Sequence, residues 1–292
     1  MANTKKCGLV LGVGAAPGLA HIGVIKVLQQ QNLAFDRIAG TSIGAFIGAC
    51  FAKDGDISKV EKAFLEMDLS KLPKLIDPKF NVLSKGLLSG DKVKDFLRSL
   101  IGDVTFQELK IPLAVVAADV DTGEEVVFQE GSVVDAVRAS ISMPGIFVPV
   151  CRDGRYLIDG GSVNPLPVDI IQKMGAGFTV VSNIVPSPGQ RETSRKSPQF
   201  MRKKENIFRR WVRRLSKTSA REEEQMPDMF SVLTQAMHIT EYKIVSSRLK
   251  EADLVITPDT QGIDVLDFMK AREAIQKGEN AACEALRDTD IF

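Results

Sequence analysis

Apolar residues along this chain gather in short runs separated by longer segments of mixed polarity. The runs Cys7 to Val13, Leu33 to Ala39, Pro112 to Ala118, Glu125 to Phe128, Tyr156 to Ile158, Phe178 to Ser182 and Leu254 to Thr257 read as strands by length and composition. Several are almost unbroken in apolar character, as strands covered on both faces are. Between them, Leu19 to Gln30, Ala45 to Ala52, Lys59 to Met67 and Asp91 to Leu100 read as helices, and so does Met226 to Leu249. Ser89-Gly90-Asp91 supplies a stop-and-cap signal ahead of one of them. The alternation predicts an α/β fold with three α/β/α layers around a mainly parallel central sheet.

With 292 residues, 44% of them hydrophobic and 26% charged, the chain can bury a substantial core, and residues 1–292 are expected to form a single domain. The formal net charge of +1 conceals an uneven distribution: residues 187–225 hold 12 Lys/Arg against 5 Asp/Glu, and the remainder is acidic. Within this insertion Ile207, Phe208, Trp211, Val212 and Leu215 fall on one side of a helix, and Arg209, Arg210, Arg213 and Arg214 on the other. Such a face suits an anionic membrane surface, contacted through residues 199–217, with each basic residue adding ~1 kcal/mol. The alternatives are a solvated loop, or a helix packed on the domain or on a second subunit. Nucleic acid is not expected as a partner, because the lone Trp211 sits among aliphatics with no stacking platform.

The cysteines Cys7, Cys50, Cys151 and Cys283 are far apart and form no C-x-x-C or metal-ligand spacing, so reduced thiols in a reducing compartment are expected. No secretory leader and no apolar run of about 18 residues is visible. A cytoplasmic protein, soluble or peripheral on a membrane, is the expectation.

Chemistry concentrates in three places. Gly40-Thr41-Ser42-Ile43-Gly44 lies between a strand-like and a helix-like run, the pattern that exposes a serine hydroxyl at a sharp strand-to-helix turn. Gly40 and Gly44 let the backbone turn tightly, and Ser42 is the candidate nucleophile. Tyr156-Leu157-Ile158-Asp159-Gly160-Gly161 places an acid at the end of a strand, where a desolvated carboxylate can take a serine proton. The competing reading of Asp159-Gly160-Gly161 is a turn in which Asp bonds its own backbone. Between Gly8 and Val24 a strand runs into a loop of small residues. The N–H groups of Gly12, Gly14, Ala15, Ala16 and Gly18 are candidates to cradle a phosphate or an acyl-transfer oxyanion. Gly12-Val13-Gly14 begins a G-x-G-x-x-G, but Pro17 stands at its third glycine; no G-x-x-x-x-G-K-[ST] occurs.

In this order the three elements resemble the patatin-like phospholipase family. The likeness extends through Gly18-Leu19-Ala20-His21-Ile22-Gly23-Val24, Arg138-Ala139-Ser140-Ile141-Ser142-Met143-Pro144-Gly145 and Asn164-Pro165-Leu166-Pro167-Val168. It includes Ala252 to Pro258 and Leu266-Asp267-Phe268, leaving little beyond residues 187–225 uncovered. The resemblance implies hydrolysis of acyl esters of lipids or phospholipids by a Ser42/Asp159 dyad without histidine, cofactor or metal. The chain departs from the family pattern at Pro17, where Arg or Lys is usual, and at Val13 and Ala15, where glycine is usual. Proline has no N–H, and losing one oxyanion donor costs on the order of a hundredfold to a thousandfold in rate. A non-catalytic lipid-binding or regulatory relative is therefore the alternative. Proline is also favoured at the first turn of a helix. A Ser–Asp–His triad would need His238, which falls in a helix-like run rather than a strand-end loop; His21 reads as a structural helix residue.

Overall fold

The computed structural model describes residues 6–67, 88–187 and 229–287. In chain order the principal elements are β1 (Cys7–Leu11), α1 (Ala20–Gln30), β2 (Arg37–Thr41), α2 (Ile43–Asp54), α3 (Ser58–Leu65) and α4 (Asp91–Ile101). Then follow β3 (Leu113–Asp119), β4 (Glu125–Phe128), α5 (Val133–Ser140), β5 (Val150–Arg152), β6 (Arg155–Asp159) and α6 (Val168–Lys173). The chain closes with β7 (Phe178–Ser182), α7 (Met229–Arg248), β8 (Leu254–Ile256) and α8 (Ala271–Arg287).

Hydrogen-bonded neighbours run β5-β6-β3-β2-β1-β7-β8, with β4 also on β3. The stretch from β3 to β8 is parallel, as expected, whereas β4, β6 and β5 pair antiparallel and make the sheet mixed. The period-2 alternation of strand side chains sorts the core into two layers. Leu9, Leu11, Ile38, Val115 and Val180 join the larger cluster with α1, α2, α5 and α8. Val10, Ala39, Val116 and Val181 join the smaller one with α6 and Val245 of α7. Both faces of the central strands are thus dry, which explains their unbroken apolar sequences.

The second predicted strand is displaced from 33–39 to 37–41. Leu33 and Phe35 are apolar because they pack into the core from a loop, Phe35 lying edge-on to Phe51 at 6.4 Å. On the larger face α1 and α8 approach backbone to backbone. A Cβ at Gly23 would come 2.0 Å from the Ile275 carbonyl oxygen, and one at Gly278 2.0 Å from that of Ala20.

The register around β3 positions the site. Val115 and Val116 pair with Gly40 and Thr41 of β2, while Ala117 and Ala118 pair with Asp159 and Ile158 of β6. The same four β3 residues all pair with β4, so β2 and β6 share the opposite edge of β3, end to end. The two chains meet head on at Thr41 and Asp159, and both must turn out of the sheet there.

Candidate active site

Residue 42 is where β2 leaves that collision. Ser42 has φ 57° and ψ −124°, a conformation that side chains rarely adopt and that costs on the order of 1–3 kcal/mol. Neighbouring elements hold it: its N–H donates to Ser140 Oγ at 2.8 Å, and Ser140 Oγ donates to the Val116 carbonyl at 2.6 Å. Gly40 and Gly44 are sterically required, since a Cβ at Gly44 would lie 2.2 Å from the Leu11 carbonyl oxygen and one at Gly40 2.7 Å from Ala45 N. Ser42 is the N-cap of α2 but makes no side-chain cap. Its hydroxyl donates instead to Asp159 Oδ2 at 2.6 Å, and the positive end of the α2 dipole is left facing the turn.

Asp159 arrives from the other side and is 5% exposed. Its N–H donates to the Ser142 carbonyl at 3.1 Å, and Oδ1 accepts from Gly161 N–H at 2.8 Å. The end of α5 therefore braces both residues, through Ser140 for Ser42 and Ser142 for Asp159. The buried Arg138 donates to Ser142 Oγ at 2.6 Å and to the Val148 carbonyl at 3.0 Å. Gly160 turns the chain where a Cβ would lie 2.3 Å from the Val116 carbonyl oxygen. Burial pushes the Asp159 carboxyl up to about 6 from an ordinary 3.8, against the opposing pull of the bonds from Ser42 and Gly161. A carboxylate so tuned is ionised at neutral pH yet more basic than an exposed one, which suits proton abstraction from a hydroxyl.

Of the five small-residue N–H groups singled out in the first loop, three are engaged elsewhere. Gly12 N–H donates to Ser182 O at 3.2 Å, Ala16 to Val265 O at 3.0 Å and Gly18 to Ala15 O at 3.0 Å. Among the described residues, those of Gly14 and Ala15 have no protein partner, so this pair remains as the candidate donors to an anion. Ala15 has φ 50° and ψ −131°, a glycine-favouring conformation like that of Ser42. Pro17 is the second residue of a 3-10 turn (Ala16–Leu19), within the first turn that suits it. Gly14, Ala15, Pro17, Ser42 and Asp159 line one cavity, closed on another side by Thr234, Met237, His238 and Glu241 of α7.

His21 is fully buried, with Nε2 2.9 Å from the Gly12 carbonyl and Nδ1 2.7 Å from Ser182 Oγ. Because a carbonyl only accepts, Nε2 carries the proton and Ser182 donates to Nδ1. Burial lowers the His21 pKa to about 4 from 6.5, so the ring is neutral and ties the ends of β1 and β7 together. His238 is buried on α7 and reaches the cavity, but no histidine stands between Ser42 and Asp159, which are directly bonded. Ser140 and Glu241 were not singled out from sequence. Ser140 lay inside a recognised stretch, and the spacing 234, 237, 238 and 241 in the α7 segment is the signal of one helix face.

Phe208, Arg209, Arg210, Trp211, Arg213, Arg214 and Leu215 lie outside the described residues. Among the described residues, no group of three or more His, Cys, Asp and Glu forms a metal site, and no helix is long and apolar enough to cross a membrane.

The chain is 35% identical over 182 residues to an uncharacterized NTE family protein of Mycobacterium bovis, covering 62% of this chain and 50% of that one. It is 33% identical over 183 residues to the neuropathy target esterase sws of Drosophila melanogaster, covering 61% of this chain and 13% of that much longer protein. The crystal structure of VipD from Legionella pneumophila shares the fold at a TM-score of 0.57 and 14% identity, covering 97% of this chain and 66% of that one. The family model described as patatin-like phospholipase matches residues 9–171, which hold the first loop, the Ser42 turn and Asp159 alike, and this chain belongs to that family.

Proposed function

We propose that this chain is a serine lipid acyl hydrolase, a carboxylic ester hydrolase of phospholipase A type that works through a Ser42/Asp159 dyad and a covalent acyl-enzyme. The observation that carries the reading is the 2.6 Å hydrogen bond from a strained serine to a buried carboxylate inside a cavity. Ser42 Oγ attacks the ester carbonyl carbon while its proton passes to Asp159 Oδ2. The oxyanion is held by the N–H groups of Gly14 and Ala15, with the N-terminus of α2 adding favourable potential. Asp159 returns the proton to the leaving alcohol as the carbon–oxygen bond breaks, leaving the acyl group on Ser42. Water then attacks this ester, gives its proton to Asp159, and the fatty acid departs as Ser42 is reprotonated. Because the two unpartnered donors precede Pro17, turnover is favoured over a non-catalytic lipid-binding role.

The chain acts as one domain in this reading, with the basic insertion at 187–225 bringing the cavity to an anionic lipid surface through residues 199–217. The test is hydrolysis of a short acyl ester and of phospholipid vesicles, with fluorophosphonate labelling, for the unmodified protein, Ser42→Ala, Asp159→Asn and His238→Ala. Labelling lost in Ser42→Ala, with turnover lost in both dyad variants and retained in His238→Ala, is the expected result. A protein that binds vesicles yet neither labels nor hydrolyses overturns the proposal.

A further inference from the structure

Glu241 lies on α7, three residues after His238 and seven after Thr234, on the face that closes the cavity. This helix packs on the 3-10 turn Gly160–Ser162 that follows Asp159. A Cβ at Gly161 would stand 2.9 Å from Glu241 Oε1 and 3.1 Å from Asp159 Oδ1, so the two carboxylate oxygens are no more than ~6 Å apart. Gly161 is thus the spacer between two acids. Its N–H bonds Asp159, and its lack of a side chain leaves room for Glu241 to reach the cavity.

We propose that Glu241 is a positioning residue for the base: its negative charge, set across Gly161, makes Asp159 a stronger proton acceptor and so sets the pH at which Ser42 is activated. The inference rests on the dyad reading above. Two carboxylates at this separation resist ionising together, and the pair takes up protons as a coupled unit. Among the described residues, the charged and titratable groups near Asp159 come from few elements. The Ser42 hydroxyl lies on the β2–α2 turn, and His238 and Glu241 project from α7. Arg138 of α5 stands behind Ser142, bonded to its hydroxyl. Of these, Glu241 carries the negative charge that opposes ionisation of Asp159.

At about 6 Å, a unit charge shifts a neighbour's titration by roughly one to two pH units. Glu241 is only partly buried, which puts the expectation near one unit. The experiment is the pH profile of kcat/KM on a neutral soluble acyl ester for the unmodified protein, Glu241→Gln, Glu241→Asp and Lys243→Gln, the last on the exposed side of the same helix. The acid limb is expected to move down by about one pH unit in Glu241→Gln. The plateau falls a few-fold, since a weaker base takes the proton less readily. Glu241→Asp keeps the limb near its original place, and Lys243→Gln does not reproduce the shift. Titration of the Asp159 carboxyl carbon by NMR, assigned with Asp159→Asn, reads the same coupling without turnover. An acid limb and an Asp159 titration that stay put in Glu241→Gln overturn the proposal, as does an equal shift in Lys243→Gln. If the unmodified protein does not hydrolyse the ester, or Ser42→Ala still does, the dyad reading fails separately, and the NMR titration alone decides whether Glu241 tunes Asp159.

Discussion

Replacing Asp159 by Asn should stabilise the protein at neutral pH while abolishing turnover. Burial raises the Asp159 carboxyl from an ordinary 3.8 to about 6. Between those values the folded state holds a proton that the unfolded chain has released, so the Asp159 contribution to unfolding free energy falls as pH rises through the window and levels off above it. The difference corresponds to about 3 kcal/mol of stability fully present below pH 3.8 and missing at pH 7. Asparagine keeps the shape and an oxygen for the Gly161 N–H bond but cannot ionise, so this slope disappears. Urea unfolding of both proteins at half-unit steps from pH 4 to pH 8 measures the effect. Asp159→Asn should gain on the unmodified protein by ~3 kcal/mol across the window, worth on the order of 6 °C in Tm. A gap that stays constant with pH, or a variant never more stable than the parent above pH 6, would refute the claim that burial of an ionised Asp159 opposes folding.

His21→Gln should remove a slope of the opposite sign. The folded pKa of about 4 against 6.5 means that neutral His21 contributes stability above pH 6.5 that is lost as pH falls toward 4, again about 3 kcal/mol, and the same urea series checks it. Gly278→Ala should lower Tm by several degrees in calorimetry. The new Cβ would sit 2.0 Å from the Ala20 carbonyl oxygen, and overpacking of 1–3 kcal/mol or more outweighs the ~1 kcal/mol that alanine gains over glycine in a helix. A raised Tm would contradict the close α1–α8 contact.

What the sequence disclosed was governed by how local each cause is. The Ser42 turn was legible because its steric demands fall on residues two positions away, where Gly40 and Gly44 stand. Asp159 was legible as an acid ending a strand. Its approach to Ser42 was not, because that depends on β2 and β6 sharing one edge of β3, which no local pattern records. The displaced second strand shows the converse: Leu33 and Phe35 carry the apolar signal, while Gly40 and Thr41, inside the strand, resemble the turn that follows. Helix α8 is faint in the sequence because its buried stripe of Ala271, Ala274, Ile275, Gly278 and Ala282 is mostly small residues, which suit close approach rather than hydrophobic bulk. In the sequence, residue size alone marks the loop N–H groups. Only the backbone bonds to Ser182, Val265 and Ala15 separate Gly12, Ala16 and Gly18 from the unpartnered Gly14 and Ala15.

The two shifted groups follow from one physical cause acting on charges of opposite sign. Burial disfavours whichever form is ionised, so it raises the acid Asp159 and lowers the base His21. Across the shared window near pH 4 to 6.5, folding grows weaker with rising pH on account of Asp159 and stronger on account of His21, by similar amounts. The unmodified protein therefore has these two contributions largely cancelled, and each single substitution exposes the other's slope. The cancellation does not make the groups equivalent. His21 spends its burial on two hydrogen bonds that tie strand ends together. Asp159 keeps one oxygen on the hydroxyl of Ser42 and is held as an anion in a place that opposes its charge. That tension is relieved when the carboxylate accepts a proton, so the cost imposed on folding lies in the direction that activates Ser42.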